Sequence, residues 1–188
     1  MNNKNTVTQR RTVFLFLLVF VVPIALAKLA LEGEWFNRAA TNKGELIHQN
    51  VNLSQMYPAR EKKWYLAYMS NQPCQKPCEL ALYSLQQVHT ALGPEQDRVS
   101  TLALFTDENE LSKAKHSEFA QHVFLEQTDS QPLSPLLRNE KLNDIFIIDT
   151  LGNVVLRYPV HAEKQGAVMA SRDMLADMRK LLKLSRIG

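Results

Sequence analysis

Cysteine is scarce in this 188-residue chain. Only Cys74 and Cys78 occur, with three residues between them in the stretch Asn-Gln-Pro-Cys-Gln-Lys-Pro-Cys. A single pair excludes a scaffold held by several bridges and leaves one disulfide, one redox pair, or two ligands of a soft metal. Acidic residues are absent before Glu32, from which point all 19 occur. Four of the 22 basic residues (Lys4, Arg10, Arg11, Lys28) precede Glu32, so 18 face 19 acidic ones beyond it, a net charge of −1. The overall charge of +3 therefore belongs to the N-terminal end, and nothing in the remainder favours nucleic acid. There is no internal repeat and no low-complexity tract. Residues from Glu32 to Gly188 have the length of one domain able to bury a core.

Long apolar runs are also rare, with one exception. Thr12 to Leu31 carries a single charge, Lys28. Twenty residues at about 1.5 Å each cover roughly the 30 Å of a bilayer's hydrocarbon core, and Lys28 near the far end is able to snorkel to the headgroups. The Arg10-Arg11 pair favours keeping residues 1–11 as a cytoplasmic tail and placing the C-terminal bulk of the chain outside. A cleavable signal peptide competes with this reading, because Ala25-Leu26-Ala27 is an A-x-A site and Pro23 offers a helix break just before it. The apolar run continues past that site, which favours a retained anchor at 12–31. Either way the remainder is exported to a compartment where a disulfide is chemically permitted.

Beyond the anchor, residues 32–62 read as a polar connector with one short strand, Glu45 to Val51, after an Asn-Lys-Gly turn. Residues 63–69, Lys-Trp-Tyr-Leu-Ala-Tyr-Met, are the near-continuous apolar run of a strand buried on both faces. From Cys78 the period becomes helical, with Cys78, Leu82, Leu85, His89 and Leu92 on one face and Ala81 and Val88 beside them; Gly93-Pro94 closes the helix. A second buried strand covers 98–105. Asp107 and Glu110 have the spacing of a capping box for a short helix to about His116. His122 to Gln127 reads as a further extended piece, and 144–160 as a hairpin turning at Leu151-Gly152-Asn153. Met174, Leu175, Met178, Leu181 and Leu182 form the apolar face of a last helix, with basic residues at its negative end. This order predicts an α/β, thioredoxin-like domain over 63–188, with the cysteines at the carboxyl end of a central strand.

The cysteine stretch carries the chemistry. Pro77 suits the first turn of a helix, which puts Cys78 in or beside that turn, where free backbone N–H groups favour a thiolate. Lys76 adds positive charge between the sulfurs. Cys74, upstream and more exposed, is the better candidate for attack by another thiol or by a metal donor. The competing reading is a structural disulfide that only pins the turn. Zinc held with His116 and His122 is disfavoured, since the gap from Cys78 is far longer than a zinc finger uses.

The stretches "WYLAYMSNQPCQKPCELALYSLQ", "DRVSTLALFTDENE" and "IFIIDTLGNVVLRY" resemble the SCO-type proteins of cytochrome c oxidase assembly, membrane-anchored and thioredoxin-like with a Cys-x-x-x-Cys motif. More narrowly, the anchor followed by "TNKGELI" resembles a small bacterial membrane protein associated with oxidase assembly genes. The resemblance implies a single-pass bacterial inner-membrane protein with a periplasmic C-terminal domain, partnered by a cytochrome c oxidase subunit or its assembly factors. It implies Cu(I) delivery to the oxidase copper centre, or thiol-disulfide maintenance of that centre's cysteines. SCO-type proteins add a histidine shortly before the strand matching "IFIID". Here "LRNEKLND" has none, and Lys141 stands near the expected place. Cys74 and Cys78 are the expected site, as redox pair and as Cu(I) ligands. His161, returned to the cysteine end by the hairpin, is the candidate substitute ligand. His89 lies eleven residues along the helix, about 16 Å away, and is too far to share a metal. A non-enzymatic partner protein that keeps the fold and a structural disulfide is the alternative.

Overall fold

The computed structural model describes residues 4–32, 42–47, 51–54, 62–129, 133 and 142–185. The chain divides into two compact units, Met1–Thr41 and Asn42–Gly188. The first holds one helix, α1 (Lys4–Glu32), whose stretch Arg11–Leu29 is long and apolar enough to cross a membrane and has no buried residue. The helix runs through Pro23, without the break that the competing signal-peptide reading offered there. Proline removes one donor and one hydrogen bond, a local loss in a helix of this length, and the helix resumes on both sides.

The second unit is built on six strands among the described residues: β1 (Glu45–Leu46), β2 (Trp64–Ser70), β3 (Val99–Phe105), β4 (Phe124–Gln127), β5 (Asp144–Ile148) and β6 (Val154–Tyr158). They lie in the order β1-β6-β5-β2-β3-β4, with β2, β3 and β4 parallel and β5, β6 and β1 antiparallel to their neighbours. All seven residues of β2 are buried, as its unbroken apolar run requires of a strand covered on both faces. One face carries α2 (Lys76–Ala91), α3 (Glu108–Lys115) and α4 (Lys164–Leu184) over Leu66, Tyr68, Ala103, Phe105, Ile145 and Ile147. The other packs Tyr65, Ala67, Met69, Leu102, Leu104 and Phe146 under Val51, Leu53, Leu133 and Leu142.

Side-chain periodicity explains the helices. Cys78, Ala81, Leu82, Leu85 and Val88 of α2 are buried at helical spacing, and each large apolar side chain contributes about 2 kcal/mol of burial. Met174, Met178 and Leu182 do the same for α4. The β5–β6 turn uses Gly152 at φ +88, where a Cβ would meet the Ser54 amide at 2.6 Å, while Asp149 accepts from the Leu151 and Asn153 amides.

The connector is more than a polar tether. Of the strand expected at 45–51, Glu45–Leu46 pair with β6 and the Ile47 amide donates to Val155 O at 3.0 Å; residues 48–50 lie outside the described residues. At 51–53 the chain is still bonded to the edge, Asn52 bridging Asn153 antiparallel with the Val154 amide donating to Val51 O at 2.9 Å and the Leu53 amide to Gly152 O at 2.7 Å, while Val51 and Leu53 are buried in the second core.

The register sets what meets at the cysteine end. Ser70 at the end of β2 pairs with Phe105 at the end of β3, and Met69 pairs with Asp144 at the start of β5. Three chain segments therefore converge where β2 hands over to the cysteines.

Candidate functional site

The strand end is fixed before the first cysteine is reached. Asn143, at φ +78, donates its amide to Met69 O at 2.7 Å, and its side-chain Oδ1 accepts from Ser70 Oγ at 2.9 Å and from the Asn71 amide at 3.0 Å. Asparagine tolerates this left-handed backbone better than other residues with a Cβ. The Ser70 hydroxyl also accepts from the Gln72 amide at 3.1 Å, tightening the turn.

Five residues later α2 starts. Gln75 is its N-cap residue in extended conformation, without a side-chain cap, and Lys76, Pro77 and Cys78 form the first turn. Proline costs nothing there because its missing donor would have had no intrahelical partner. Cys74 and Cys78 form a disulfide, with Cα atoms 5.1 Å apart. The two sulfurs differ in access. Cys78 is 2% exposed within the core, whereas Cys74 is half-buried at its margin. Cys78 belongs to the first turn of α2, and Cys74 precedes the N-cap residue.

An acidic residue from another element completes the surroundings. Asp107 caps α3 by accepting from the Asn109 and Glu110 amides at 2.8 and 3.2 Å. Only this half of the expected capping box forms. The Glu110 carboxylate turns instead to the cysteine loop, accepting the Cys74 amide on Oε2 at 2.5 Å and Lys113 Nζ on Oε1 at 2.7 Å. The Lys113 contact first, and the Cys74 amide second, hold the Glu110 carboxyl below the usual carboxylate range. Sequence spacing could not show this contact, since 36 residues separate the two and only the parallel β2–β3 pairing brings them together.

The histidines lie elsewhere. His161 is exposed after β6, its ring against Gly166, beside a small cavity lined by Leu80, Ala81 and Ser84 of α2. His89 faces Val99 O at 3.0 Å, and with His122 it lines a polar cleft at the opposite end of the sheet, where β2 and β3 begin. The His116 ring meets Ser112 O at 2.7 Å and closes α3. Among the described residues no three His, Cys, Asp or Glu side chains form a group able to hold a metal ion. Lys141, near the place where the resemblance to SCO-type proteins leads one to expect a histidine, lies outside the described residues.

The family comparison agrees with this architecture. Residues 64–185 match the family model "transmembrane-like, thioredoxin-like, C-terminal domain", well over half of the chain. The chain belongs to that family. Its thioredoxin-like domain is thus the β2-to-α4 body, with the cysteine pair at the first strand-to-helix turn. No curated protein matches. Among solved structures, the thioredoxin domain of a thiol-disulfide oxidoreductase from Bacteroides vulgatus is 13% identical, with 74% of this chain and 94% of that one covered and a TM-score of 0.47. ScoI from Bradyrhizobium japonicum, with copper bound, is 16% identical over 58% of this chain and 84% of that one, TM-score 0.39. BsSco, a member of the Sco family of cytochrome c oxidase assembly proteins, is 14% identical over 66% and 82%, TM-score 0.44.

Proposed function

We propose that this thioredoxin-like protein is a membrane-anchored thiol-disulfide exchange protein that serves cytochrome c oxidase assembly from the periplasmic face of a bacterial inner membrane. The observation that carries the exchange reading is the unequal access of the two sulfurs on a helix start: a reachable Cys74 and a buried Cys78. That asymmetry suits a two-step reaction. The Cys74 thiolate attacks a partner disulfide, one S–S bond forms as another breaks, and the first partner sulfur leaves as a thiolate. Cys78 then loses its proton and its thiolate attacks the Cys74 sulfur, forming the intramolecular disulfide as the Cys74–partner bond breaks and the second partner sulfur leaves as a thiolate. Two electrons and two protons pass to the partner, whose disulfide becomes a dithiol.

The oxidase role rests on the sequence resemblance to SCO-type proteins, and the substrate chemistry that fits it is a cysteine pair of the oxidase copper centre or of an assembly factor. Cu(I) is the second candidate cargo. Two thiolates on one turn suit a soft ion of low coordination number, and they are available only in the reduced form. Among the described residues the two cysteines form no group with a third His, Cys, Asp or Glu able to hold a metal ion.

The test uses the full chain in detergent micelles with oxidised glutathione as the probe. Cys78→Ala should accumulate a mixed disulfide on Cys74. Cys74→Ala should give little, because Cys78 is buried. Equal trapping by both variants, or by neither, contradicts the assignment.

A further inference from the structure

The acceptor that holds the Cys74 amide is a carboxylate, that of Glu110. That brings a negative charge close to the Cys74 sulfur. The Cys74 amide and its Sγ are joined through only Cα and Cβ, so an oxygen 2.5 Å from the amide lies within about 6 Å of the sulfur. At that range a like charge disfavours a thiolate.

We propose that Glu110 is a positioning residue for thiol exchange: it fixes the Cys74 amide and keeps a negative charge beside the Cys74 sulfur, holding the reduced cysteine as a thiol and biasing the pair toward acting as a reductant. This rests on the reading of Cys74 and Cys78 as a working pair. Two fields oppose each other at Cys74. The free amides of the first turn of α2 and the Lys76 ammonium pull it toward the thiolate, and a stabilised thiolate would make the disulfide a strong oxidant. Glu110 opposes them. Lys113 partly neutralises Glu110 from the far side of its carboxylate, so the balance depends on that ion pair. Among the described residues, Asp107 and Glu108 at the start of α3 and Glu79 in the first turn of α2 are the other acidic groups at these two helix starts.

During exchange, Glu110 acts on the first step only. The proton that Cys74 must lose before attack goes to solvent, and the negative carboxylate makes that loss harder. Atoms and electrons otherwise pass unchanged from the dithiol to the partner disulfide. Because Lys113 and the Cys74 amide keep Glu110 ionised at neutral pH, the opposition is in force under working conditions.

The experiment measures iodoacetamide labelling of Cys74 in the reduced full-length protein in micelles, with the labelled site resolved by mass spectrometry, from about pH 5 to about pH 9. Glu110→Gln keeps an acceptor oxygen for the amide and removes the charge. Its Cys74 should label about threefold faster on the acid side, the gain from more thiolate being partly offset by a weaker nucleophile. Lys113→Met leaves Glu110 unneutralised and should slow labelling by a similar factor. A merely structural role moves both variants the same way or neither. Superimposed profiles for wild type and Glu110→Gln, or shifts of the same sign in both variants, overturn the inference. The assay needs no partner disulfide, so its failure is distinct from failure of the exchange reading, which the trapping experiment decides.

Discussion

The carboxylate of Asp177 in α4, fully buried, accepts the Gly44 amide at 2.9 Å, joining the connector to the last helix across 133 residues of sequence. The same oxygen accepts from the Lys43 amide at 2.6 Å and from the Tyr158 hydroxyl at 2.8 Å, while Lys180 meets the other oxygen at 3.3 Å. Gly44 has to be glycine here, since a Cβ would lie 2.5 Å from the Tyr158 ring. One buried carboxylate therefore fixes the point at which the connector enters the domain.

Asp177→Ala strands three buried or half-buried donors and should cost about 3 kcal/mol in urea unfolding of the full chain in micelles. Tyr158→Phe removes one donor and should cost about 1 kcal/mol. A loss below about 0.5 kcal/mol in Asp177→Ala contradicts the clamp.

The clamp also has a pH signature. Burial first, and Asp177 second, push the Tyr158 phenol up from its ordinary value. The unfolded chain loses that proton near pH 10 while the folded one keeps it, so this contribution to stability is intact below about pH 10 and is lost as pH rises above it. Tyr158→Phe should flatten the alkaline fall in stability relative to wild type. An unchanged slope contradicts the assignment.

Asn143 holds the strand end beneath the cysteine loop through both its backbone and its side chain. Asn143→Ala loses the bonds to Ser70 and Asn71 and places a Cβ at φ +78 without the local compensation asparagine has. Asn143→Gly loses the bonds alone. The alanine variant should be less stable than the glycine variant by about 1 kcal/mol in thermal or urea unfolding, and both should react with oxidised glutathione more variably than wild type, their loop being less fixed. Equal stabilities would show that the backbone there carries no strain.

Much of this fold is legible in the sequence because its central strands β2, β3 and β5 are buried on both faces. The runs at 63–69, 98–105 and 144–160 have few polar interruptions, and the turn at Leu151-Gly152-Asn153 announces its own geometry. The cysteines stand out by scarcity and by Pro77. What sequence does not reveal depends on distance along the chain. Asp177 sits among the apolar positions of α4 and gives no sign that Gly44 and Tyr158 will reach it. Glu110 is visible only as part of a local cap, and its other partner, Cys74, comes from a parallel strand pairing. Pro23 is the reverse case, a residue whose local preference is overridden by the helix around it.

Copper binding separates the two candidate cargoes. Any Cu(I) held by the reduced protein should depend on both thiolates and weakly on histidine. Cys74→Ser or Cys78→Ser should abolish it in a titration against a chromophoric Cu(I) chelator, and His161→Ala should weaken it by less than about tenfold. A loss of several orders of magnitude in folded His161→Ala would restore a two-cysteine, one-histidine site.

The reduction potential of the Cys74–Cys78 pair tests the exchange reading most directly. It is read by equilibrating the full-length protein in micelles with defined dithiol buffers and counting free thiols. A working pair should lie less negative than about −300 mV. A value well below that marks a disulfide made only to pin the turn, and contradicts a protein that trades electrons through Cys74.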